Sequence, residues 1–129
     1  MLVVTDLSQS PWPGRRAVVT IGAYDGVHRG HQSVIAAVRE RAAAVDALSV
    51  VVTFDRHPAS VVRPESAPLL LTDLDQKIEL LRATGVDAVV VVPFDAQQAA
   101  EEPRDFVRRV LVDCLAVSHI AVEIGRAHV

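Results

Sequence analysis

The sequence predicts an α/β protein with a doubly wound parallel sheet, and two observations support this fold class. Short apolar runs alternate along the chain with longer segments in which apolar residues recur at helical spacing. The apolar runs are also nearly continuous, as in strands that helices cover on both faces. Because half of the 129 residues are hydrophobic, we expect a single domain with an aliphatic core over residues 1–129.

Four apolar runs rich in valine and isoleucine are interpreted as strands. They cover residues 16–21, 48–53 and 87–92, with the start of a fourth at 119–122. Residues 1–14 contain serine, glutamine, proline and glycine around Trp12. That composition is typical of loops, so these residues are interpreted as a lead-in segment before the first strand.

Two segments with helical periodicity follow the first two strands. Between residues 30 and 44, His31 shares one helix face with the apolar positions. A second helix starts near Thr72, where Asp75 stands three residues on as in a capping box, and ends at Gly85. The predicted apolar stripes of these helices are Ile35, Val38 and Ala42, and Leu74, Ile78 and Leu81.

A third helix opens at Glu102 and Pro103, because proline is tolerated in the first helical turn. Cys114 lies on its apolar stripe and is interpreted as a small core residue, not as a nucleophile. The predicted stripe consists of Phe106, Val107, Val110, Leu111, Cys114 and Leu115.

Composition narrows the class of protein further. The formal net charge of −3 argues against general nucleic-acid binding, so an anionic ligand needs a local site. The longest apolar run, residues 88–92, is too short to cross a membrane, and the first residues lack the pattern of a secretory signal. The single cysteine fits a reducing, cytoplasmic setting. We expect small-molecule ligands, no nucleic acid and no membrane contact.

A glycine-rich turn with two histidines follows the first strand. It contains Gly22, Gly26 and Gly30, and His28 and His31 stand where the first helix begins. Backbone N–H groups in the first turn of a helix lack intrahelical partners, and the helix dipole favours negative charge there. Two imidazoles three residues apart add side-chain donors to that helix end. We hypothesise that this turn binds a nucleoside triphosphate.

A second turn follows the strand at 48–53. It reads Phe54-Asp55-Arg56-His57-Pro58 and leads into a proline-containing loop over residues 59–71. In doubly wound sheets, ligands bind beyond the carboxyl ends of the strands, where the connections diverge to opposite faces. Both turns lie at such ends, so the sequence predicts that they share one crevice.

The two turns together carry a family resemblance. The string Gly22-x-Tyr24-Asp25-Gly26-Val27-His28-x-Gly30-His31 resembles the signature of prokaryotic FAD synthetase, the bifunctional riboflavin kinase/FMN adenylyltransferase, which usually has phenylalanine at position 24. Residues 28–31 form the HxGH mark of the wider nucleotidyltransferase superfamily. The resemblance continues through Thr53-Phe54-Asp55-x-His57-Pro58 and through Leu71 and Thr72 with Lys77, and it covers residues 16–122.

This resemblance implies a Rossmann-like fold of the HxGH nucleotidyltransferase type and a transfer of AMP from MgATP to FMN, which gives FAD and pyrophosphate. His28 and His31 are then the catalytic residues, which contact the phosphates. Mg²⁺ comes with ATP and is held by the phosphates and water, without a dedicated set of carboxylate ligands. In the parent protein, a C-terminal riboflavin kinase domain follows. The other implied binding residues are Gly22, Tyr24, Asp25, Gly26 and Gly30 for the nucleotide, and Phe54, His57 and Pro58 for the flavin.

Other interpretations of the same residues stay open. His31 shares the stripe of the first helix and would, in an arbitrary sequence, be a core residue; Asp25 braces the turn or touches the ligand. His28 and His31 are also possible metal ligands, but no third ligand stands at a suitable spacing. At the level of function, the alternatives are a related HxGH nucleotidyltransferase with another acceptor, and a nucleotide-binding module without catalysis.

The chain departs from the family's pattern at two places. Arg56 replaces the proline that is usual before His57. Near the end, Gly125 occupies a position where the family has asparagine or aspartate, and a later Ser-Ser-Thr-x-Ile-Arg segment is missing. Residues 123–129 reverse-translate into a common sequencing-adapter sequence, so we interpret them as a non-native tail. We expect a truncated domain whose sheet is incomplete at the C-terminus and which lacks the riboflavin kinase domain.

Overall fold

A computed structural model gives the fold and describes residues 1–55, 73–93, 100–115 and, as backbone, 117–121. Within these residues, five parallel strands form one sheet in the order β1-β4-β3-β2-β5. The strands are β1 (Leu2–Val4), β2 (Ala17–Ile21), β3 (Leu48–Phe54), β4 (Ala88–Val92) and β5 (Val117–Ala121).

The order of the strands contains one reversal. The chain moves from β2 to β3 to β4 in one direction and then crosses back to place β5 on the other side of β2. Such a reversal opens a crevice outside the carboxyl ends of the strands. The prediction of a doubly wound parallel sheet is therefore confirmed, and the turn after β2 lies at the reversal.

Helices cover both faces of this sheet. In the described part of the chain they are α1 (Arg29–Ala44), α2 (Leu74–Arg82) and α3, which begins as an α-helical turn at Pro103–Phe106 and continues as a π-helix over Val107–Cys114. Alternate residues of the strands point to opposite faces. Those on one face pack with α1 and α2, and those on the other pack with α3 and Trp12. Both faces are therefore apolar, which explains the continuous hydrophobic runs.

The four predicted strands and three predicted helices are confirmed with shifts of a few residues, but the prediction for residues 1–14 is not. The loop predicted over residues 59–71 and the tail predicted over residues 123–129 lie outside the described residues. The lead-in interpretation of residues 1–14 is wrong for Leu2–Val4, which forms an edge strand parallel to β4. Three apolar residues give too short a pattern to predict a strand. Leu2 is extended because its backbone pairs with the edge of β4, a contact that is distant in the sequence.

The start of α2 also differs from its prediction. Asp73, not Thr72, is the N-cap, and the reciprocal partner is Gln76, not Asp75. The Asp73 carboxylate accepts a hydrogen bond from the Gln76 N–H at 2.8 Å, and the Gln76 side chain accepts from the Asp73 N–H at 3.0 Å. Glutamine is a regular partner in this motif because its side chain is long enough to reach back. Thr72 lies outside the described residues.

The third helix opens at Pro103 as predicted, but its continuation as a π-helix was not foreseen. Hydrogen bonds from residue i+5 widen each turn, and the Leu115 N–H accordingly donates to the Val110 carbonyl at 3.0 Å. Val110, Leu111, Cys114 and Leu115 of the predicted stripe are buried, whereas Val107, also predicted to be buried, is exposed. Cys114 is buried as expected. No helix in the described part of the chain is long and apolar enough to cross a membrane.

Candidate functional site

The turn after β2 has an unusual backbone. Tyr24, Gly26 and Val27 all have positive φ, at 52°, 79° and 47°. Glycine adopts this conformation freely, but for other residues it costs about 1–2 kcal/mol, and for a β-branched valine it is rare. Tyr24 and Val27 are both buried, so packing holds the turn in this shape. Strain of this kind is concentrated at functional sites.

Tyr24 anchors the turn to the sheet. Its hydroxyl shares a hydrogen bond of 2.5 Å with Oγ1 of Thr20, a fully buried residue of β2. The ring lies across Gly22, where an added Cβ would stand only 3.0 Å from the ring carbon Cε2. A side chain at position 22 would therefore require the ring of Tyr24 to move by a few tenths of an ångström. The same ring contacts the imidazole of His31, with 4.7 Å between the ring centroids.

His28 and His31 form a pair at the N-terminus of α1. His28 is the N-cap residue, and its backbone N–H donates to Nδ1 of His31 at 3.1 Å. Because Nδ1 accepts this bond, the neutral ring of His31 carries its proton on Nε2 and is a donor there. The two rings are stacked with 5.2 Å between centroids, and the first turn of α1 contains no acidic residue. This helix end is suited to an anion.

The turn after β3 lies against the first turn. The Gly22 N–H donates to the carbonyl of Val52 in β3 at 3.0 Å. Thr53 Oγ1 donates to the carbonyl oxygen of Ala23 at 2.9 Å. The first turn is thus hydrogen-bonded to the end of β3. The second turn is described as far as Asp55, and the predicted shared crevice stays a prediction.

Lys77 connects both turns from α2. Its ammonium donates to three oxygens: the Ala23 carbonyl at 2.9 Å, Thr53 Oγ1 at 3.1 Å and the Phe54 carbonyl at 2.9 Å. Only 8% of the residue is exposed. Burial lowers the pKa of Lys77, and the negative charges of Asp25 and Asp55 oppose that shift.

The structure gathers most of the predicted site residues in one place. The turn after β2 and the start of α1 hold Gly22, Tyr24, Asp25, Gly26, His28, Gly30 and His31, and Phe54 is linked to them through Lys77. His57 and Pro58 lie outside the described residues. His31 is partly exposed and packs against the ring of Tyr24, which belongs to the buried cluster between the sheet and the helices α1 and α2.

Three residues of this arrangement were missed as site residues: Thr20, Thr53 and Lys77. A signal for Lys77 was present in the sequence, because it lies three residues after Leu74 and four before Leu81, on the apolar stripe of α2. A lone lysine on a buried stripe requires polar partners. The two threonines carried no comparable signal, since threonine is common in buried strands.

Two other sequence hypotheses concern metals and Cys114. No group of three or more histidine, cysteine, aspartate or glutamate side chains suited to a metal lies together in the described part of the chain. The thiol of Cys114 lies on the α3 face of the sheet, and its Sγ is 3.5 Å from the carbonyl of Gln9. Burial raises the pKa of this thiol, which disfavours the nucleophilic thiolate.

The parallel sheet with its one reversal of strand order, covered by helices on both faces, defines an α/β fold of Rossmann-like type. The fold recurs in a solved structure described as "Crystal Structure of Macrolide-efflux Protein from Streptococcus pneumoniae", with a TM-score of 0.79 over 95% of this chain and 48% of that one. Because the two sequences are 22% identical, this likeness shows the fold alone.

The chain belongs to the FAD synthetase family, whose profile matches residues 11–126. It is 41% identical over 108 residues to the bifunctional riboflavin kinase/FMN adenylyltransferase of Pseudomonas fluorescens, which covers 84% of this chain. It is 36% identical over 119 residues, or 92% of the chain, to the protein of the same description from Escherichia coli K12. The matches span 34% and 37% of those relatives, so the chain corresponds to about a third of their length. The resemblance found in the sequence is confirmed.

Proposed function

We propose that this chain carries an FMN adenylyltransferase site, which transfers AMP from MgATP to FMN and gives FAD and pyrophosphate. The observation that carries the proposal is the pair His28 and His31 at a helix end without acidic residues, held at the strand reversal of a FAD synthetase fold. Two relatives that match most of this chain are described as FMN adenylyltransferases.

The residues of the turn fit the charges in such a reaction. An oxygen of the FMN phosphate attacks the α-phosphorus of ATP, the bond from that phosphorus to the bridging oxygen breaks, and pyrophosphate leaves with the electron pair. The attacking oxygen is already anionic, so no strong base is required. His31 Nε2 and the His28 ring donate to the triphosphate, where negative charge develops on the leaving group.

The other predicted site residues have roles that follow from their positions. Gly22 and Gly30 let the backbone approach the nucleotide because they have no Cβ. Tyr24, Asp25 and Gly26 complete the wall of the nucleotide side, where Tyr24 also supports the ring of His31. On the flavin side we place Phe54, together with His57 and Pro58 by their match to the family's motif.

Magnesium enters this proposal as part of the substrate MgATP. We propose that the ion is held by phosphate oxygens and water, as is usual for Mg²⁺ that is bound together with a nucleotide. Its charge would help to neutralise the triphosphate during transfer. In the whole protein we propose a riboflavin kinase domain after this module, because relatives are described as bifunctional riboflavin kinase/FMN adenylyltransferases. We also propose a cytoplasmic location.

Substitution of His28 tests the proposal. His28→Ala removes one donor to the triphosphate and is expected to lower kcat by about 10²–10³-fold, the usual effect of losing one transition-state donor. FAD formation is followed by chromatography and pyrophosphate release by a coupled assay, with FMN and MgATP as substrates. Cys114→Ala, on the opposite face of the sheet, serves as the control and should leave kcat unchanged.

Three results would contradict the proposal in different ways. Full turnover by His28→Ala would refute the role of that residue. AMP transfer to an acceptor other than FMN would place the chain among other HxGH nucleotidyltransferases. ATP binding without any transfer, measured by calorimetry on the unsubstituted chain, would leave a nucleotide-binding module.

A further inference from the structure

We propose that Lys77 is a positioning residue that fixes the distance between the two halves of the site. Its buried ammonium joins the turn after β2, through the Ala23 carbonyl, to the end of β3, through Thr53 and the Phe54 carbonyl. The inference rests on the proposed function for its catalytic consequence, but the geometry of the link stands without it.

The hydrogen bonds of Lys77 indicate that it acts through other groups. A lysine ammonium has three N–H donors, and each has an oxygen acceptor between 2.9 and 3.1 Å away. The side chain is also enclosed, since 8% of the residue is exposed. All three donors are used by oxygens of the two turns, and the ammonium has none left to offer a phosphate. Lys77 is therefore a positioning residue, and not a direct ligand of the triphosphate.

The charges around Lys77 match this role. Burying an ammonium is costly unless it is fully hydrogen-bonded and faces negative charge. Both conditions are met, because Asp25 in the first turn and Asp55 in the second attract the ammonium from opposite halves of the site. Each turn thus contributes a carbonyl and a carboxylate to the same cation.

Thr53 completes the link. Its Oγ1 accepts a hydrogen bond from Lys77 and donates one to the Ala23 carbonyl. The Ala23 oxygen therefore receives two hydrogen bonds, one from Thr53 and one from Lys77. Ala23 precedes Tyr24, the first residue with positive φ in the strained turn. Loss of the link would therefore let the strained turn relax and carry His28 and His31 away from the end of β3.

Loss of the Lys77 link should affect the alignment of the two substrates more than their affinity for the protein. If each of the two substrates binds to its own turn, both keep their contacts with the protein after the link is removed. The reacting atoms of the two substrates, however, are no longer held at the correct distance from each other. Lys77→Met, which keeps the side chain's length without its donors, is expected to lower kcat by about 10²-fold while each KM changes by less than about threefold. Thr53→Val, which leaves Lys77 two acceptors, should lower kcat by less.

The experiment combines kinetics with hydrogen exchange on the same protein. Calorimetry with ATP gives the fraction of binding-competent molecules, so that kcat is expressed per folded molecule and partial unfolding cannot imitate the effect. Amide exchange is measured by NMR at Gly22 and Asp55, whose N–H groups donate to Val52 and Val92 at the ends of the strands. In Lys77→Met these amides should exchange at least about 10-fold faster, while Val19 and Val51 in the centre of the sheet keep their rates.

Glu79→Met is the matched control, because it replaces an exposed charge on the same helix and should change neither readout. Unchanged kcat and unchanged exchange in Lys77→Met would overturn the proposal, as would faster exchange spread evenly over the sheet. If Lys77→Met does not fold, Thr53→Val decides by the same two readouts. If the unsubstituted protein binds ATP but forms no FAD, the proposed function fails, and the exchange at Gly22 and Asp55 alone decides the role of Lys77.

Discussion

The hydroxyl groups of Thr20 and Tyr24 form a buried pair that ties the turn after β2 to its strand. Because the two hydroxyls share one hydrogen bond, a change in either side chain affects the other. A buried polar group that loses a hydrogen-bond partner costs more than the bond itself contributed, because the remaining group has given up its water. The family usually has phenylalanine at position 24, so this pair is a departure whose energy can be measured.

We predict strong coupling between these two positions in unfolding experiments. Tyr24→Phe leaves the Thr20 hydroxyl without its partner and should lower the free energy of unfolding by about 1–3 kcal/mol. Thr20→Val should also lower the free energy of unfolding, since it removes the hydrogen bond that the Thr20 hydroxyl shares with the buried phenol of Tyr24. The double variant removes both polar groups and should be more stable than the sum of the two changes implies. Simple additivity in urea denaturation would contradict the pairing.

The residues of the site differ in how far the sequence could predict them. His28 and His31 follow from a contiguous motif at the junction of a strand and a helix, which is a local pattern. Lys77 lies 54 residues beyond Ala23, whose carbonyl it contacts, and that contact exists only once β2, β3 and α2 have packed together. The spacing of apolar residues places Lys77 on the buried face of α2, but it does not predict which groups accept its hydrogen bonds.

Among the helices and strands, α1 ends in a motif that the local sequence does not indicate. The Ala47 N–H donates to the Ala42 carbonyl at 2.8 Å and the Asp46 N–H to the Ala43 carbonyl at 3.5 Å, the two bonds of a Schellman motif. Asp46, the donor of the second bond, has a φ of 53°. Glycine is the usual residue at this position, but here it is Asp46, which also places a negative charge at the negative end of the helix.

We predict that Asp46→Gly stabilises the protein. The change relieves the left-handed conformation and removes the unfavourable charge, and it should raise the free energy of unfolding by about 1 kcal/mol. Ala44→Gly is the control, because the same residue placed inside the exposed last turn should instead lower stability by about 1 kcal/mol. Thermal unfolding of the two variants measures both effects. A loss of stability in Asp46→Gly would show that the aspartate has a favourable contact that outweighs the strain.

The strands and helices themselves were predicted best where their patterns are long. α1 and the strands β2, β3 and β4 have enough apolar positions to specify their type and, within a residue or so, their bounds. β1 has three residues, and its extended state depends on pairing with β4. The π-helical part of α3 departs from the period on which the prediction relied. Short and irregular elements therefore owe their structure to tertiary contacts.

At the scale of the whole molecule, the two apolar layers share the same strands. Neighbouring residues of one strand serve different layers: Val18 packs with α1, while Val19 packs with α3. If the helices on one face of the sheet detach, the strands lose contacts that also hold them in place for the helices on the other face. The reversal of strand order adds a second constraint, because β2 pairs with β3 on one side and with β5 on the other.

This shared sheet predicts that the two layers unfold together. Trp12, the single tryptophan of the chain, lies in the α3 layer, is 6% exposed and donates from Nε1 to the Leu115 carbonyl at 2.8 Å. Its fluorescence reports on that layer alone, whereas far-UV circular dichroism averages over both. The urea midpoints of the two signals should coincide, as in a two-state transition. Trp12→Phe supplies the fluorescence background. A fluorescence midpoint clearly below that of the dichroism would mean that the α3 layer detaches while α1 and its half of the site remain folded.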